Sequence, residues 1–330
     1  MSQKIRINVY AKSNGWLFDD LKKRFSQVYI PQAEIIISET PLSSCDAWVA
    51  VRTSEVRLSP EPERTVAIVH DLCHHEDIYQ PGGERRAVED AGAIVLSHPQ
   101  EREILMSYGI DLERQVILDR PLGVLSSFTC RDSMPKDFTI GVVGRDCPRK
   151  RFKWVPLIAQ KLQEAEVPCH WDLVGKGLEP YATAITGSGI SCTQYPRKIY
   201  PATTYPGLYQ SMDCHLITSH SEAGPLTLFE ALASGIPVAS TPVGWAPIFE
   251  KSAPEYVRTA EDIDGLVEHL IALKENRERI FQKRRAISEL VSDYSLDDWF
   301  LAVLNLAMYL GSSDPVYLSH LDNCQSPVAV

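Results

Sequence analysis

The stretch SHSEAGPLTLFEALASGIPV, from Ser219 to Val238, sets Glu222 and Glu230 on either side of a Gly-Pro step. Pro225 suits the first position of a helix, where its missing N–H costs nothing, and Leu226, Phe229, Leu232 and Ala233 then recur at helical spacing. Gly235 and Pro237 stop this helix, so the pattern predicts it over about 225–234. The open N–H groups of a helix start attract anions. A phosphate at Gly224 to Thr227, with hydroxyl-bearing groups at the two carboxylates, is the chemistry this arrangement fits.

The elements that must hold such a site follow from the apolar runs. Ile5 to Tyr10, Ala47 to Val51, Val66 to Val69 and Ala93 to Leu96 read as strands, separated or followed by helical patterns at Trp16 to Phe25, Glu84 to Asp90 and Gln100 to Tyr108. A second set comprises the strand Phe138 to Val143, the helix Trp154 to Gln163, the strand His170 to Val174, a helix near Tyr205 to Ser211, the strand Cys214 to Thr218 and the strand Ile236 to Ser240. Alternation of this kind predicts two doubly wound parallel sheets, whose ligands bind beyond the carboxyl ends of the strands. Proline, glycine and serine place a linker over 126–136, dividing a domain 1–125 from a domain 137–295; a helix over 296–311 and a tail over 312–330 complete the chain.

Composition sets outer bounds. The chain has 330 residues, 44% hydrophobic and 23% charged, which fits a two-domain globular protein rather than a disordered or fibrous one. A formal net charge of −10 argues against a nucleic-acid partner and leaves room for a small anionic ligand. The N-terminal residues lack the apolar core of a signal peptide, no apolar run reaches membrane-spanning length, and the eight cysteines are scattered without a CxxC pair. These features predict a cytoplasmic protein with reduced thiols. The short basic run Lys22 to Arg24 reads as a solvated helix face, with peripheral membrane contact as the alternative.

Several motifs together resemble the family 4 glycosyltransferases, also grouped as glycosyl transferases group 1. SEAGPLTLFEALASGIPV resembles their Glu-x7-Glu signature and IGVVGRDCPRKRF their Gly-Arg…Lys phosphate loop, with Gly144, Arg145 and Lys150 at the matching positions. VAIVHDL resembles the strand-His-Asp of their N-terminal domain, DLVGKG the strand-Gly-x-Gly of the donor domain, and YQSMDCHLITSHSE the run into the glutamate motif. Arg151 stands where the family commonly has glycine, and Lys153 competes with Lys150 for the phosphate.

The resemblance implies an α/β GT-B fold, two Rossmann-like domains facing across a cleft, with the helix from about Leu296 crossing back to the N-terminal domain. It implies retaining, metal-independent transfer of a sugar from a nucleotide-sugar, a UDP-sugar first and a GDP-sugar next, to an acceptor hydroxyl on a saccharide, lipid-linked or small molecule. The nucleotide-sugar is a substrate, and no cofactor is implied. Arg145 and Lys150 would offset the diphosphate, aided by the loop and helix start Ala223, Gly224, Pro225, Leu226 and Thr227. Glu222 would accept from sugar hydroxyls and Glu230 would hold the ribose. His70 would lie near the donor sugar, and Asn14, Gly15 and Asp71 would join it on the acceptor side.

Other readings of these residues are weaker. HDLCHHED packs too many ligand types into one loop to define a zinc geometry, and GVVGRD lacks the third glycine of a dinucleotide fingerprint. A non-catalytic nucleotide-sugar-binding subunit, or an epimerase or phosphorylase of the same fold, remains as the rival function.

Overall fold

A computed structural model describes residues 4–13, 17–69, 84–98, 100–196, 204–222, 224–319 and 321. Twelve strands lie among them: β1 Ile5–Tyr10, β2 Ala33–Ser38, β3 Ala47–Ala50, β4 Thr65–Val69, β5 Ala93–Leu96, β6 Val116–Asp119, β7 Thr139–Val143, β8 His170–Gly175, β9 Ser191–Pro196, β10 Cys214–Ile217, β11 Val238–Ser240 and β12 Val257–Thr259. They form two six-stranded sheets, ordered β2-β1-β3-β4-β5-β6 and β12-β11-β10-β7-β8-β9. Every described pair is parallel, with helices in the connections, as βαβ crossovers require.

The eight inner strands coincide with the apolar runs read from the sequence, and the four edge strands do not. The edge strands are covered on fewer sides: β9 (SCTQYP) and β12 (VRT) carry mixed side chains, and β2 (AEIIIS) and β6 (VILD) hold runs of only three apolar residues. By contrast β3, β4, β5, β7 and β10 are buried at every position.

The chain divides into two compact units, residues 1–122 with 296–330, and residues 123–295. In the first, the helix Leu296–Ser312 packs on β1, β3, β4 and β5, and Phe300 meets Phe25 edge-on at 4.6 Å between ring centroids. Lys22 departs from a solvated helix face: it is buried, donating from Nζ to the Ala11 carbonyl at 2.7 Å and pairing with Asp19 at 3.4 Å.

The segment read as a linker is part of the second unit. Phe128 joins its core, and Arg131, 1% exposed, donates to the Met212 carbonyl at 2.5 Å and to Asp213 at 3.1 Å. Asp213 is held in turn by the Thr139 N–H at 3.0 Å and by Arg277 at 2.8 Å, so a buried ion triad fixes this segment to the amino ends of β7 and β10. The two chain crossings instead lie together: Val124 bridges Ser295, and Gly123, at φ +80°, lies where a Cβ would come within 2.6 Å of the Tyr294 carbonyl.

Candidate active site

In the second sheet the connections from β7 turn toward β8 on one side, whereas β10 lies on its other side. The carboxyl ends of β7 and β10 therefore form a topological switch point, the place where an open parallel sheet binds ligands. Three segments converge there: the loop after β7 with a 3-10 turn at Pro148–Lys150, the loop from Thr218 after β10, and the helix Leu226–Ala233.

Two glycines let the first segment take its path. Gly144 donates its N–H to the Val174 carbonyl at 2.9 Å, and Asp146 to Lys176 at 2.9 Å, which holds the loop after β7 against the loop after β8. A Cβ on Gly175, which sits at φ +148°, would overlap the Gly144 carbonyl. Beyond the turn Arg151 adopts φ +49°, a left-handed conformation that glycine takes at less cost, and its guanidinium lies 4.9 Å from the Trp154 ring centroid.

Glu222 is the centre of the cluster. Its carboxylate is 8% exposed by residue and is held on both oxygens: Lys150 Nζ and the Ser219 hydroxyl (2.8 Å) meet Oε1, and Arg149 Nη1 meets Oε2 at 2.6 Å. Burial alone would raise its pKa; Lys150, Arg149 and the Ser219 hydroxyl outweigh burial and hold the carboxyl below its ordinary value. It is therefore ionised at neutral pH. The backbone beneath is tied as well, since the Thr218 hydroxyl donates to the Lys150 carbonyl at 2.7 Å and the His220 N–H to the Arg149 carbonyl at 2.8 Å.

Glu230 sits in a different electrostatic setting. Burial pushes its pKa up to about 7, against the opposing pull of the Tyr209 hydroxyl, which donates to Oε2 at 2.5 Å, and of Lys150. Tyr209 is fully buried, and His215 packs against its ring at 5.8 Å. Burial pushes the His215 imidazole down to about 3, so it stays neutral while its Nδ1–H donates to the Gly141 carbonyl at 3.1 Å. Polar groups of opposite protonation tendency thus lie within one site.

The structure brings Lys150, Glu222, Glu230 and the helix start into one region and leaves Arg145 exposed, without a hydrogen bond or ion pair to any described residue. Of the two competing lysines, Lys150 holds Glu222; Lys153 is exposed at the start of the helix Trp154–Glu164. Pro225 is the N-cap of the helix Leu226–Ala233, one position before the place its sequence signal predicts, and its own side chain makes no cap hydrogen bond. Gly235, at φ +73°, ends the helix as expected. Asn14, Gly15, His70, Asp71, the rest of HDLCHHED and Ala223 lie outside the described residues. Among the described residues no group of three or more His, Cys, Asp or Glu is placed to hold a metal ion.

Arg149, Ser219, Tyr209 and His215 are the site residues that sequence reasoning did not single out. Arg149 carries a signal, its place beside Lys150 in PRKR, but three adjacent cations give no basis for choosing it. Tyr209 had none, because its partner Glu230 lies 21 residues away across a strand.

Two Rossmann-like units, each an all-parallel six-stranded sheet flanked by helices, constitute a GT-B fold. Residues 137–276 match the family described as Glycosyl transferases group 1, and this segment is a domain of that family. Sucrose-phosphate synthase from Thermosynechococcus elongatus is similar in structure, with a TM-score of 0.69 at 12% identity over 94% of this chain and 100% of that one. WaaG, a glycosyltransferase involved in lipopolysaccharide biosynthesis, gives 0.63 at 16% over 89% and 98%. TarM from S. aureus gives 0.59 at 16% over 75% and 50%, so the chain spans about half the length of that structure. No curated protein sequence matches the chain.

Proposed function

We propose that this chain is a retaining, metal-independent glycosyltransferase of family 4 that acts in the cytoplasm, moving a sugar from a nucleotide-sugar to an acceptor hydroxyl. The observation that carries this reading is the ionised Glu222, held between Lys150 and Arg149 at the switch point beside the start of the helix Leu226–Ala233. A departing nucleoside diphosphate needs fixed positive partners, and Lys150, exposed Arg145 and the helix N–H groups supply them without a metal ion. Glu222 orients the sugar hydroxyls and Glu230 accepts from the ribose. On the first unit, Asn14, Gly15, His70 and Asp71 keep the acceptor-side roles that the family resemblance gives them.

A UDP-sugar is the first choice of donor and a GDP-sugar the second. Support comes from two similar structures: the S. aureus TarM variant is in complex with UDP, and so is the pneumococcal O-GlcNAc transferase GtfA. In a retaining reaction at this site the leaving phosphate takes the acceptor proton on the same face of the sugar, so no further cofactor is called for. Free thiols at all six described cysteines accord with a reducing compartment.

The test is a thermal-shift panel with UDP, GDP, ADP, dTDP and their sugar conjugates on the wild type and on Arg145→Ala. A ligand at ~100 times its dissociation constant adds about 2.7 kcal/mol of stability. One nucleotide that stabilises the wild type and not the variant is the expected result. No shift from any nucleotide would sink the donor reading.

A further inference from the structure

Glu222 carries one negative charge and is met by two cations from adjacent residues of one turn, Arg149 and Lys150. On the proposed function, Lys150 is the cation that serves the diphosphate, yet here its Nζ is spent on Glu222 Oε1. A buried carboxylate whose cation leaves is strongly destabilised unless another partner stays. Ser219 alone would then hold Oε1, and a hydroxyl offers no compensating charge. Arg149 removes the difficulty, because it engages the other oxygen, Oε2, at 2.6 Å.

We infer that Arg149 is a positioning residue: it holds Glu222 so that Lys150 is free to move to the diphosphate of a bound nucleotide. This inference rests on the donor-site reading above. The two side chains are suited to the division. Arg149 has a planar guanidinium that keeps a carboxylate in a defined orientation, whereas Lys150 is a point charge on a flexible stem that can swing between oxygens. The backbone of the turn is pinned at both residues, Arg149 by the His220 N–H and Lys150 by the Thr218 hydroxyl, so the exchange requires side-chain motion alone. The charges also close. Arg149 balances Glu222, and Lys150 with Arg145 remains for the roughly two negative charges of a diphosphate.

A double-mutant cycle read by UDP binding tests this, because a positioning role depends on the charge being positioned. Arg149→Ala should weaken UDP about tenfold, since Lys150 then stays with Glu222. In Glu222→Gln, where no charge retains Lys150, adding Arg149→Ala should change UDP affinity less than twofold. Arg149→Met, which keeps the aliphatic stem, should repeat both results and guards against a folding defect in the alanine variant. Equal loss in both backgrounds would place Arg149 on the phosphate itself and overturn the inference while leaving the donor site standing. No loss in the single variant would overturn it too. A wild type that binds none of UDP, GDP, ADP, dTDP and pyrophosphate would remove the donor reading and the inference together.

Discussion

At the scale of single residues the two glutamates of the signature differ in charge state, and the difference has measurable consequences. Glu230 has a folded pKa near 7 against an ordinary value of 4.5, because burial disfavours its charged form. The stability linked to its proton is therefore complete below about pH 4.5 and is lost as pH rises through about 7, roughly 3 kcal/mol in all. Glu222 runs the opposite way: its pKa is depressed, so its contribution is present above 4.5 and lost as pH falls below that. Glu230→Gln should flatten the fall in melting temperature between pH 5 and pH 8, followed by circular dichroism. An unchanged slope would show that Glu230 does not titrate there. Glu222→Gln should instead lower turnover by about a hundredfold or more while nucleotide affinity shifts only a few-fold, the pattern of an interaction made with the reacting sugar. The sequence told these two carboxylates apart from surface glutamates through the motif around them. It could not reveal their charge states, which depend on Arg149, Ser219 and Tyr209 brought in by the fold.

At the scale of elements, the pattern of hits and misses follows burial. The inner strands announce themselves as apolar runs because helices cover both faces, whereas at the sheet edges the run shortens to III in β2 and VIL in β6 and is broken by polar residues in β9 and β12. Pro and Gly misled in one place: LDRPLGVLSSFTCRDSMPKDF has a linker's composition, yet Arg131 and Phe128 anchor it, and neither a lone arginine nor a lone phenylalanine signals a buried partner 82 residues away. Glycine was more informative at DLVGKG. Gly175 allows the loop after β8 to touch the loop that carries Arg149 and Lys150, and no other residue type fits both its φ and that contact. Gly175→Ala should cost at least about 2 kcal/mol of stability in urea unfolding and weaken nucleotide binding with it, since the displaced loop holds the cations. A variant that is as stable as the wild type would mean that the loop relaxes freely.

At the scale of the whole molecule, both chain crossings fall at one place, Leu122 to Gly123 and Ser295 to Leu296, while every described donor-site residue lies between them. The unit 123–295 therefore contains its own sheet, its own core and the whole cluster around Glu222. Expressed alone, it should fold and bind UDP within about threefold of the intact chain. The other unit is not contiguous. Its helix Leu296–Ser312 buries nine residues, Trp299, Phe300, Val303 and Leu306 among them, chiefly against the first sheet. Burial of that many large apolar side chains contributes on the order of 10 kcal/mol, comparable to the entire net stability of a domain. Residues 1–122 alone should consequently fail to show cooperative thermal unfolding, and joining them through a short linker to residues 296–330 should restore it. Cooperative unfolding of 1–122 without the helix would show that the first sheet is stable uncovered and that the return of the chain serves some purpose other than completing this core.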